Sequence, residues 1–135
     1  MEAALKYIVA VVIIAHGIGH VMGFLAAWTD VPMGFTDSPW VLSQDVSVQG
    51  PVGRAFGLLW LVALIGFAGA GLGLLAGQDW WRWLAVAASV VSIVVILPWW
   101  NTVNPSARTW ALLVDLIVLV ALVPGWGEQV VQSLR

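Results

Sequence analysis

The chain has no cysteine, no run of basic residues and very little charge of either sign: five Lys+Arg and seven Asp+Glu in 135 residues. The first absence excludes disulfides, thiolate metal sites and cysteine nucleophiles. The second, with a net charge of −2, argues against nucleic acid as a partner. The third is the most informative. Charged residues are 9% and apolar residues 61%, against about 25% and about 45–50% in soluble domains. A soluble core this apolar would need a charged shell that the chain cannot provide. Lysine is nearly absent too: Lys6 stands against Arg54, Arg82, Arg108 and Arg135. That bias, with ten tryptophans, fits a bacterium of high genomic GC content.

What is present is four continuous apolar blocks, near 7–28, 56–76, 80–97 and 106–123. A helix of about 20 residues spans the roughly 30 Å hydrocarbon layer. The blocks do not alternate in polarity, so helices are expected rather than strands. Tryptophans mark the block edges, where indole favours the headgroup level: Trp28, Trp80, Trp81, Trp83, Trp99, Trp100, Trp110 and Trp126. Trp60 lies inside its block and is expected between helices. The first block follows Lys6 but is too long for a signal peptide and has no A-x-A site, so it is expected to be retained.

The expected fold is all-α: an integral membrane four-helix up-down bundle forming one domain over 1–135. Its helices are expected at about 5–28, 54–77, 80–98 and 106–124, with one long structured loop between the first two. Gly77-Gln78-Asp79 and Pro98 to Pro105 are the short links. With both termini inside, Lys6, Arg82 and Arg135 lie inside and Arg54 and Arg108 outside, which favours cytoplasmic termini in a bacterial inner membrane.

Three ionisable groups sit in the middle of these blocks. His16 and His20 are four apart and share a helix face. At 1.5 Å per residue, His16 lies about 13–14 Å from one side and Asp115 about 13–14 Å from the other. Such groups are costly at bilayer depth and find partners in a bundle interior. Asp115 is therefore expected to face His16 and His20, with Arg108, seven residues earlier, as a rival partner. Three readings of the cluster stand side by side. It is a structural contact fixing helix register, or a binding or proton-handling site for a small molecule, lipid, quinone or ion. Or it is a metal site of His16, His20 and Asp115, two imidazoles and a carboxylate with an open position. The residue after His16 is Gly17, so the H-E-x-x-H pattern of metalloproteases is missing. A bis-histidine haem would need a third histidine, which the chain does not have.

Gly17, Gly19 and Gly23 either leave room for a ligand beside the imidazoles or let the first helix pack closely. Gly69, Gly73 and Gly77, at four-residue spacing, form either an interface between copies or a packing face within one bundle. Ser89 and Ser92 are expected to bond their own helix backbone. Asp30, Asp37 and Asp45 do not have calcium-loop spacing and are expected to be solvated or turn-forming. Arg54 is expected to snorkel to water. Trp99 and Trp100 are expected as interfacial anchors, with the rim of a pocket as the alternative.

The run His16-Gly17-Ile18-Gly19-His20-Val21-Met22-Gly23-Phe24 resembles the H-G-x-x-H-x-x-G-F signature in the first helix of small bacterial four-helix membrane proteins, comparable with the DoxX-like group. The run from Pro51 to Trp60 is similar to the segment leading those proteins into their second helix. The resemblance implies the four-helix membrane fold and no particular activity. Where those proteins carry a neutral polar residue in the last helix, this chain has Asp115.

Together these features point to a non-enzymatic accessory or small-molecule- or lipid-binding component. Its partners are the bilayer, a small hydrophobic ligand and further copies or other membrane subunits. The alternatives are a metal- or quinone-dependent redox component and a proton-coupled transporter acting as an oligomer.

Overall fold

The computed structural model describes residues 2–36 and 41–134 and is all-helical among them. The helices are α1 Glu2–Gly19, α2 Val21–Trp28, α3 Pro51–Leu75, α4 Trp81–Ile96, α5 Pro105–Leu122 and α6 Gly127–Ser133. The stretch Ala4–Trp28, α3 and α5 are each long and apolar enough to cross a membrane. α4 is apolar but shorter, at 16 residues. Asp37 and Trp40 lie outside the described residues.

The first apolar block is an interrupted helix, not the continuous one expected. The N–H of His20 turns back to the carbonyl of Gly17 at 3.0 Å, a three-residue return that tightens the chain locally. α3 begins at Pro51, earlier than expected, because extended Gly50 serves as its N-cap and Pro51 fits the first turn. It ends at Leu75, and the chain turns away at Gly77, whose φ of +68° suits glycine, with Gln78 N–H closing onto the Gly73 carbonyl at 2.9 Å. Asn104 caps α5, its side chain accepting from the N–H of Ser106 at 3.0 Å and of Ala107 at 3.4 Å.

α3 is the central element, packing against α1, α2 and α4, while α5 rests on α4. Two close approaches explain two of the three glycines of the first block, Gly17 and Gly23. A Cβ on Gly23 would stand 2.2 Å from the Trp60 ring, and one on Gly17 would stand 2.7 Å from the Phe67 Cβ. Gly69 and Gly73 are used within the chain: the first faces Leu84 and the second faces Trp80 and Trp81, both across the α3–α4 contact. Gly77 is the turn. Gly69 and Gly73 therefore meet this chain's own α4, the packing face within one bundle that the sequence offered beside an interface between copies.

α6 was not expected. Its seven residues begin at Gly127, two after Gly125, and fold back so that Val131 and the C-cap Leu134 join the core with Trp81. Arg82 ties this end together and is only 6% exposed. Its Nε donates to the Leu122 carbonyl at 2.8 Å, its Nη1 pairs with Glu128, and it lies over the Trp83 ring. At the other end the long loop lies on the α4–α5 link. Thr36 N–H bonds the Thr102 carbonyl and Val41 N–H bonds the Pro98 carbonyl, both at 2.8 Å. The outer faces of the helices are apolar: Val11, Ile65, Leu72, Trp110 and Val120 are all well exposed.

Candidate functional site

Four polar side chains from three helices meet in the interior. His16 Nε2 lies 2.9 Å from Asp115 Oδ1. Ser92 Oγ lies 2.5 Å from Asp115 Oδ2 and 2.7 Å from His20 Nε2. The remaining nitrogen of His20, Nδ1, lies 3.0 Å from the His16 carbonyl. Asp115 and Ser92 are completely buried and His20 nearly so. Phe67 and Trp60 enclose the imidazoles: Phe67 meets His16 edge-on at 4.6 Å, and Trp60 lies 5.5 Å from His20.

Local sequence explains the convergence. The i,i+4 spacing puts both imidazoles on one face, and the tightened turn at His20 places its Nδ1 on the carbonyl one turn back. Gly17 and Gly23 let α1 and α2 settle onto α3 on the flanks of the pair.

Hydrogen-bond inventory narrows the proton arrangement to two neutral forms. A backbone carbonyl can only accept, so His20 Nδ1 carries a proton. Ser92 has one hydroxyl proton for two neighbours. Two arrangements satisfy every contact with no net charge, and in both His16 donates from Nε2 to Asp115 Oδ1. In the first, Ser92 donates to ionised Asp115 and a cationic His20 donates to Ser92. In the second, a protonated Asp115 donates to Ser92, which donates to neutral His20. They differ by one proton passed from Asp115 to His20 with reversal of the serine hydroxyl.

Beside this network is a cavity of about 380 Å³. His16, His20, Gly19, Trp60, Val12 and Val114 contribute to its wall, and Arg108 stands at its α5 side. α1 and α5 have little direct backbone contact, and the exposed residues Val12, Ala15, Gly19 and Trp110 rim the cavity on that side. Gly19 differs from Gly17 and Gly23: a Cβ there meets nothing within 4 Å. A second, entirely apolar cavity of about 240 Å³ continues along the same seam and shares Val12 and Val114 with the first.

His16, His20 and Asp115 are thus brought together, and Arg108 is not. Its Nη1 donates to the Trp100 carbonyl and its guanidinium lies 4.5 Å over the Trp100 ring. The helix register accounts for this: Arg108 sits in the first turn of α5, next to the loop that holds Trp100. As for a metal, His20 commits one nitrogen to a carbonyl and the other to Ser92. Among the described residues, no group of three or more His, Asp or Glu is placed to hold a metal ion.

Sequence reasoning missed Ser92. The signal was a hydroxyl in the middle of an apolar helix, which we expected to satisfy its own backbone. Trp60, expected between helices from its place inside the block, is buried beside the imidazole pair, whereas Phe67 carries no signal of its own. Arg54 is exposed, as expected, and its guanidinium lies over the Trp28 ring.

In comparison with known proteins, no family model, curated protein or solved structure matches the chain.

Proposed function

We propose that the chain is a multi-pass bacterial inner-membrane protein. The α1–α2 rod, α3, α4 and α5 cross up and down as a four-helix bundle with cytoplasmic termini. It binds a small, mostly apolar molecule in the side-opening cavity next to His16 and His20, as an accessory component without chemistry of its own. The observation that carries this reading is the pairing of a buried polar network with an adjoining cavity that has apolar walls and a lateral mouth. Such a combination is the general form of a ligand site, with apolar lining for affinity and a few polar groups for orientation. The apolar outer faces of the helices and the resemblance of the first helix support the membrane placement.

The test is native mass spectrometry of the purified protein released from a mild detergent, alongside Gly19→Phe. Nothing lies where a side chain at Gly19 would go, so the variant fills the mouth without disturbing the α1–α3 packing. A bound molecule present in the wild type and absent from Gly19→Phe supports the reading. Wild-type protein that carries no added mass, under conditions that keep lipid on other membrane proteins, overturns it.

One observation favours a second reading. The two neutral arrangements of Asp115, Ser92 and His20 form a short proton path, so the same site can hand a proton to or from a bound molecule. This reading retains the proton-coupled transporter as an alternative and requires a carboxyl group at position 115.

A further inference from the structure

Arg108 is the unexplained charge of the site. Among the described residues no carboxylate lies within ion-pair distance of it. Nη1 is committed to the Trp100 carbonyl, while Nε is buried and has no hydrogen-bond partner. A buried donor without a partner is destabilising. With Nη1 occupied, the edge left over is Nε with Nη2, the pair that binds a carboxylate side-on through two parallel hydrogen bonds. Arg108 contributes to the wall of the larger cavity, and the smaller, apolar cavity shares Val12 and Val114 with it. From Arg108 to Ala121, which lines the far cavity, the rise along α5 is about 20 Å. A cation at one end, an apolar trough of that length behind it and an open side between α1 and α5 describe one shape of ligand.

We infer that the α1–α5 seam binds a long-chain fatty acid, with its carboxylate on the Nε/Nη2 edge of Arg108 and its chain lying past Val114 toward Ala121. This rests on the reading of the cavity as a ligand site and names the ligand class. A small rotation of the guanidinium onto the carboxylate gives Nε its missing partner. The trough, about 380 Å³ and then about 240 Å³, holds one chain and a small head, so a two-chain phospholipid is a poorer fit. Lateral entry suits a ligand already dissolved in the bilayer.

The test uses the full chain in phosphatidylcholine nanodiscs and a palmitate analogue with a photoreactive diazirine on its chain, competed by palmitate or by hexadecanol. The two competitors share a chain length and differ in head charge. Palmitate is expected to displace the probe at about tenfold lower concentration than hexadecanol, the scale of a charge-assisted pair. Arg108→Gln is expected to remove that preference and Arg108→Lys to keep part of it. Ala121→Trp, far from the head, is expected to weaken both competitors, with crosslinks in the wild type mapping to α1 and α5. Displacement by both alcohol and acid with equal potency, or a preference that survives Arg108→Gln in a folded variant, overturns the fatty acid and leaves the cavity as a site for a neutral molecule. Absence of specific crosslinking to the seam overturns both.

Discussion

His16 and Asp115, ninety-nine positions apart, meet at 2.9 Å between two helices whose backbones otherwise keep their distance. That gap is the side opening of the cavity, and the contact that ties α1 to α5 lies beneath the seam, with Asp115 fully buried. Removing it is expected to affect stability and ligand retention together.

The hydrogen-bond inventory makes Asp115→Asn an informative substitution. The amide oxygen can accept from His16, and the amide nitrogen can donate to Ser92, which then donates to His20. This reproduces the neutral arrangement without a transferable proton. Asp115→Asn is therefore expected to stay within about 1 kcal/mol of wild type in thermal or denaturant unfolding. Asp115→Leu strands the His16 donor and leaves Ser92 one partner short and is expected to cost about 2–5 kcal/mol. Equal, large losses in both variants would show that the carboxylate is needed in its ionised form.

The first block contains its own control. Gly23→Leu drives a side chain into the Trp60 ring, where even a Cβ would be 2.2 Å away. It is expected to cost at least about 1–3 kcal/mol through overpacking. Gly19→Leu meets open space and is expected to leave the melting temperature near wild type while reducing ligand retention. Melting curves of the two variants, four residues apart, check the assignment of packing to one glycine and cavity to the other.

Arg82 and Glu128 form an ion pair of unequal importance. Glu128 is 69% exposed, so Glu128→Gln is expected to change stability by less than about 1 kcal/mol. Arg82→Gln also removes the buried bond to the Leu122 carbonyl and is expected to cost about 1–3 kcal/mol. The loss should appear first as faster amide exchange and proteolysis in α6.

The helices and the meeting of His16 with Asp115 were legible because they depend on regular quantities: apolar run length, 1.5 Å rise and i,i+4 spacing. The break at His20 was not, because a three-residue hydrogen bond inside an apolar run leaves no compositional mark. The rival pairing of Arg108 with Asp115 is not made, because distance along one helix ignores the neighbouring loop, whose Trp100 carbonyl and ring hold the guanidinium. Ser92 was passed over because a serine that bonds its own helix and one that bridges two others look alike in sequence. Gly69 and Gly73 were ambiguous for a similar reason: close packing within a chain and between chains uses the same residues.

A double-mutant cycle between His16 and Asp115, using His16→Ala, Asp115→Ala and the pair, tests the central contact in the intact protein. Unfolding free energies should depart from additivity by about 1–3 kcal/mol, with the second substitution costing little once the first is made. Additivity to within about 0.5 kcal/mol would mean that the two side chains do not share a bond, and the polar core described above would not exist.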